Sequence, residues 1–213
     1  PIGSGMVEGA CKTVVGRLVA QRLGFMFLDT GAMYRAVTWV ALQKGVQLED
    51  EASLVRLADA LRIRLAGERL LADGEDITDQ LKEPEVEHGV SLVAKVPGVR
   101  KALVRQQRAL AMEGPIVVVG RDIGTIVLPS AAVKVYLTAS VEVRAQRRFE
   151  ELQRQGDRVA YAQVVNELIR RDKIDSERAD SPLRPADDAV PINTDHLTID
   201  ELTQKILCLV ERD

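Results

Sequence analysis

The 213-residue chain is poor in aromatics, with three Phe, three Tyr and one Trp, and it has only two cysteines. So few rings leave little for stacking bases, which argues against a binder of single-stranded nucleic acid. Cys11 and Cys208 form neither a disulfide framework nor a metal-ligand spacing, and a reducing cytoplasm is the expected setting. No apolar run reaches the roughly 18 residues of a membrane span, and the first residues lack the apolar stretch of a signal peptide. An excess of positive charge is also missing. The net charge of −3 argues against a general nucleic-acid-binding surface and leaves room for a local basic cleft. Repeats and low-complexity tracts are absent. The expected partners are small molecules, with no nucleic acid and no membrane, and the expected state is a monomer.

What is present centres on Pro115 to Gly124. Ile116 to Val119 is an unbroken apolar run, as suits a strand buried on both faces of a parallel sheet. The run stops at Gly120, and Arg121 and Asp122 follow at once. Ligands of open α/β sheets sit beyond the carboxyl ends of the strands. An Arg–Asp pair there is placed to meet a polar ligand, and a solvated ion pair capping the strand is the equal alternative.

Along the chain, Thr13 to Leu23 has the stripe of a helix, and Lys12-Thr13 at its start matches the end of a phosphate loop, G-x-x-x-x-G-K-[ST]. The glycines of that pattern fall on Met6 and Cys11, only Gly9 lies inside the loop, and no feeding strand is evident in Pro1 to Gly5. A non-glycine residue held at positive φ costs about 1–2 kcal/mol. Residues 25 to 36 read as a short strand, a turn at Asp29 to Gly31 and a helix that Thr30 can cap, with Arg35 one turn in. A helix over 50–61, two short strands at 63–65 and 69–71 with an Asp73-Gly74 turn, and helices over 86–95 and 97–112 follow. On their own, Ser91, Arg100, Glu87 and His88 read as helix-surface residues. Val133 to Leu137 is a second buried strand. Arg144, Arg147 and Arg148 share one helix face by their i, i+3, i+4 spacing, and Arg171, Asp175 and Arg178 repeat it. Arginine grips phosphate bidentately, so two such faces flanking the Gly156 turn suit a lid over a polyphosphate, against the plainer reading of solvated basic faces. A last strand at 189–193 leads to a helix opened by a Thr198/Glu201 capping box.

From residue 12 onward the chain resembles the bacterial cytidylate (CMP) kinases. The resemblance rests on LGFMFLDTGAMYRA, GEDITDQLKEPEV, VSLVAKVPGVR, GRDIGTIVLPSAAVKVYLTAS and RDKIDSERADSPLRPADDA, in order and at similar spacing. It implies an α/β fold of P-loop type: a five-stranded parallel sheet wrapped by helices, with an inserted NMP-binding subdomain and an arginine-rich lid. A single kinase domain would have its core at 1–62 and 113–213, the substrate-binding insertion at about 63–112 and the lid at about 144–160. The implied reaction moves the γ-phosphoryl of ATP to CMP or dCMP, with Mg²⁺. By resemblance, Arg35 and Arg121 hold the acceptor phosphate with Arg178 nearby, and Thr30 faces the same place. Ser91, Arg100 and Asp122 read cytosine, while Arg171 and Asp175 hold the ribose. Arg144, Arg147 and Arg148 meet transition-state charge. Gly9, Lys12 and Thr13 bind ATP, with Thr13 near Mg²⁺.

The departure at residues 1–11 leaves three readings open. The stretch is not the natural start, or it is a divergent loop that still binds ATP, or the protein is a degenerate kinase that binds CMP without turnover. A kinase for another monophosphate, such as UMP, is a weaker rival.

Overall fold

The computed structural model describes residues 2–3, 10–156, 159–176 and 184–211. In chain order the elements are β1 (Ile2–Gly3), α1 (Ala10–Leu23), β2 (Met26–Asp29), α2 (Thr30–Gln43), α3 (Glu51–Ala60), β3 (Ile63–Ala66), β4 (Arg69–Ala72), β5 (Glu75–Asp76), α4 (Pro84–Val93), α5 (Pro97–Ala111), β6 (Ile116–Val119), β7 (Val133–Thr138), α6 (Val141–Gln155), α7 (Tyr161–Ser176), β8 (Val190–Asn193) and α8 (Ile199–Val210). Two compact units divide them: Pro1–Phe25 with Ile116–Asp213, and Met26–Pro115. Residues 26–62, grouped with the core in the sequence division, fall within the second unit.

In the first unit the strands lie in the order β6, β1, β7, β8, with each described neighbouring pair parallel. Ile2 pairs with both Val117 and Val133, so a strand does feed the N-terminal loop. It was illegible because two residues flanked by strands on both sides need only backbone hydrogen bonds, not β-forming side chains. All four residues of β6 are buried, as a strand without polar alternation requires. Alternation decides the faces: Val117 and Val119 of β6, with Val135 and Leu137 of β7, line a cavity of about 20 Å³ closed by Val15, Val19 and Ile206. The helices α1 and α8 therefore cover one face, and Arg22 on α1 reaches Gln204 on α8 at 3.4 Å. Elsewhere α6 and α7 pair through Ala145, Val164 and Leu168, edged by Phe149 and Tyr161 in a T-shaped contact at 5.6 Å.

In the second unit α2 buries Met33, Ala36, Val37 and Val40, α3 buries Leu54 and Leu57, and α5 buries Val99 and Leu103. Gln106 ties α5 to the end of α3: its amide accepts from Ile63 N–H and donates to the Ala58 and Leu61 carbonyls. The strands β3, β4 and β5 form an antiparallel sheet turned at Asp73 (φ 51°) and Gly74 (φ 91°). Helix α4 approaches α2 closely at Gly89, where a Cβ would stand 2.5 Å from Leu48 and 3.0 Å from Thr38.

The α2 N-cap is Asp29, not Thr30: its carboxylate accepts from Gly31 N–H at 2.9 Å, and Thr30 is the first helical residue. A carboxylate at the helix start also suits the dipole. The Thr198/Glu201 capping box is present in full.

That box carries a pH signature. Glu201 is held below the ordinary carboxylate range by the Thr198 N–H and then by its hydroxyl. Asp195 is lowered first by the Ser140 N–H. A group whose folded pKa is depressed adds stability above its unfolded pKa and loses it as pH falls through the folded value. Urea denaturation is therefore expected to show stability declining below about pH 4.5. The decline should be shallower in Glu201→Gln, while Thr198→Ala should lose about 1 kcal/mol at neutral pH.

Candidate active site

In the first unit the site begins where β6 ends. Asp122 opens a single π-helical turn, Ile123–Val127, and its carbonyl accepts from the N–H groups of Ile126 and Val127 at 2.9 and 3.2 Å. Such turns fix a loop more tightly than open coil and recur at functional sites. Arg121 is exposed and Asp122 half-buried. Lys12 and Thr13 lie in the first turns of α1, and Lys12 lines the small cavity against Val117 and Val119. Cys11 is helical. Its backbone therefore has negative φ, and the strain expected from a missing glycine there does not arise. Gly9 and Met6 lie outside the described residues.

The arginines of α6 are engaged within the fold. Arg144, 5% exposed, makes a fork on Asp172 of α7 at 3.0 and 2.7 Å and donates from Nε to the Ala139 carbonyl. Arg147 donates to the Thr194 hydroxyl at 3.1 Å and to its carbonyl at 2.7 Å. Arg148 pairs with Glu151 on its own helix at 2.8 Å. The backbone of Arg171 and Asp175 belongs to α7, on either side of Asp172, and their side chains lie outside the described set, as does the whole of Arg178. Sequence spacing revealed the arginine stripe but not Asp172 or Thr194, which stand 28 and 47 residues from their partners. Burial and then the Asp172 charge raise the Tyr136 phenol above its ordinary range.

In the second unit the candidate residues gather along α2. Thr30, 5% exposed, starts the helix. Arg35 meets Glu87 of α4, Nε to Oε1 at 2.7 Å, with both side chains about one-third exposed (31% and 35%). Glu87 is thus paired with a candidate site residue rather than being a solvated surface charge. Arg100 lies over the Tyr34 ring at 5.9 Å, within cation–π range. Ser91 is exposed on α4, one turn beyond Glu87 on the same face.

Parallel strands handing over to helices, with cations at the strand ends and in the first helical turns, define an α/β protein of the phosphate-binding type. Comparison with known proteins narrows this. The cytidylate kinase family model matches residues 7–212. The cytidylate kinase of Bacillus licheniformis is 48% identical over 95% of this chain and 92% of its own length. A bifunctional pantoate ligase/cytidylate kinase of Synechococcus sp. is 50% identical over 94% of this chain, which spans 38% of that longer protein. A solved structure of an uncharacterised protein from Eubacterium ventriosum shares the fold, with a TM-score of 0.52 at 13% identity, covering 100% of this chain and 98% of that one. The chain belongs to the cytidylate kinase family.

The Arg144–Asp172 fork has a measurable consequence. Asp172→Asn leaves a buried guanidinium without its counter-charge and is expected to cost about 2 kcal/mol. For a chain of this size that lowers the melting temperature by roughly 4–8 °C. The same substitution should lower the Tyr136 pKa, read by ultraviolet titration of the phenolate.

Proposed function

We infer that this chain is an ATP-dependent cytidylate kinase that transfers the γ-phosphoryl of ATP to CMP or dCMP, giving ADP and CDP or dCDP, in pyrimidine nucleotide metabolism. The family match across residues 7–212 carries this reading. The degenerate alternative, binding without turnover, is not supported, because relatives named cytidylate kinases align over nearly the whole chain. The reading includes one nucleoside monophosphate kinase domain, with a five-stranded parallel sheet, a substrate-binding insertion at 63–112 and an arginine-rich lid at 144–160. It takes the protein as a cytoplasmic monomer, since ATP and nucleoside monophosphates are held in that compartment.

The roles follow from charge and hydrogen bonding. Phosphoryl transfer asks mainly for positioning and for neutralisation of spreading negative charge. The acceptor phosphate is already anionic, so no proton-abstracting base is required. Arg35 and Arg121 hold that phosphate, with Arg178 as a further cation and Thr30 as a hydroxyl donor. The Asp122 carboxylate accepts from the exocyclic amine of cytosine, which uracil lacks, and Ser91 and Arg100 complete the reading of the base. Arg171 and Asp175 bind the ribose. Gly9 and Lys12 serve ATP, and Arg144, Arg147 and Arg148 are the lid cations. Mg²⁺ favours hard oxygen ligands and keeps waters and substrate phosphates around it. The Thr13 hydroxyl in the first turns of α1 is a donor of that kind, and the ion's chemistry is neutralisation of the phosphates.

The test is an intact-mass measurement followed by coupled ADP release with ATP, Mg²⁺ and CMP. A matching mass with CMP-dependent turnover is expected, with UMP used far less well. Asp122→Asn should reduce kcat/KM for CMP by roughly tenfold or more while narrowing the gap to UMP. CMP binding without turnover at the matching mass would make the protein a binding module instead.

A further inference from the structure

The contact between Arg35 and Glu87 has a geometry that bears on how the acceptor is held. Glu87 takes only the Nε–H of Arg35, at 2.7 Å. Among the described residues neither terminal nitrogen of that guanidinium has a protein acceptor. On its other side Nη1 lies close to Gly31: a Cβ there would stand 3.2 Å from it and 3.1 Å from Asp29 Oδ1. Nη1 thus lies beside the first turn of α2, where the helix carries its positive end. The carboxylate holds the stem side.

A lone arginine on a helix surface samples many rotamers, and each hydrogen bond to a ligand must offset that lost freedom. Glu87 removes much of it in advance. Its helix is seated close to α2, since a Cβ at Gly89 would stand 3.0 Å from Thr38 and 2.5 Å from Leu48. The neighbouring Tyr34 lies under Arg100, 5.9 Å from its guanidinium carbon to the ring centroid.

We propose that Glu87 is a positioning residue for the acceptor monophosphate: it anchors Arg35 through Nε and leaves the two terminal nitrogens to grip the phosphate as a fork. This rests on the reading of Arg35 as an acceptor-phosphate residue. Arginine suits the task because its planar fork matches phosphate oxygens once its plane is set. The Glu87 charge also repels the phosphate weakly, and its one-third exposure lets water screen that repulsion.

Steady-state kinetics with CMP and ATP test this. Glu87→Ala should raise KM for CMP by roughly tenfold with a smaller change in kcat, the size expected for losing one charged hydrogen bond. KM for ATP and the melting temperature should stay at wild-type values. Glu87→Gln, whose amide oxygen still accepts from Nε, should recover KM to within about threefold. In an Arg35→Met background Glu87→Ala should add nothing, because the group it positions is gone. If Arg35→Met alone leaves KM for CMP unchanged, the acceptor-phosphate reading fails and takes this inference with it. If Arg35→Met raises KM and Glu87→Ala does not, only the inference is overturned. A fall in KM in both Glu87 variants would overturn it too, showing that the carboxylate competes with the phosphate rather than preparing its site.

Discussion

Everything in the first unit follows from a strand that cannot meet water. Ile116 to Val119 offers no polar side chain, and all four residues are buried. Such a strand is stable only with both faces covered and both edges paired. The two residues of β1 satisfy one edge, although their sequence carries little β-signal. Valines 117 and 119, alternating outward to α1 and α8, set which helices must cover that face. The abrupt change from Val119 to Arg121 then places charge at the carboxyl end of the strand, where the backbone of the following π-turn fixes the spacing of Asp122. Burial of the strand and exposure of the charge are two sides of one constraint.

The periodic part of this was legible in advance. Strand runs, helix stripes, the Asp73-Gly74 turn and the capping box are local patterns, and the structure shows each within a few residues of its expected bounds. The family likeness was legible as well, because its motifs are long and hold their order. What could not be read was which acid meets which base. Glu87 reads as an ordinary solvated charge, and only the docking of α4 on α2 brings it to an arginine 52 positions away. Asp172 is equally anonymous beside Arg171 until α7 packs on α6. The cap of α2 failed for a different reason: Asp29 and Thr30 are both good caps, and one residue of register separates them.

These pairings also explain how a chain of net charge −3 can serve polyphosphates. The total is irrelevant to a ligand that meets only a few side chains within a Debye length. What matters is how each guanidinium is engaged. A carboxylate on the stem side, as at Arg35, restrains the group and leaves its fork open. A carboxylate on the fork, as at Arg144, uses the edge that a phosphate would need.

The three arginines of α6 therefore differ in what an incoming phosphate would have to displace. Arg144 is buried and forked on Asp172, so exchange would strip a carboxylate of its partner in a poorly solvated place. Arg148 faces Glu151 on the same helix, with side-chain exposures of 29% and 22%, a pair that water screens in part. Of the three, Arg147 alone has only neutral partners among the described residues, the hydroxyl and carbonyl of Thr194. A phosphate replacing them trades a neutral acceptor for an anionic one and leaves no charge behind. Electrostatics thus ranks the arginines of α6 by partner: Arg147 would gain most on meeting a phosphate, and Arg144 serves first as the link that fixes α7 to the end of β7.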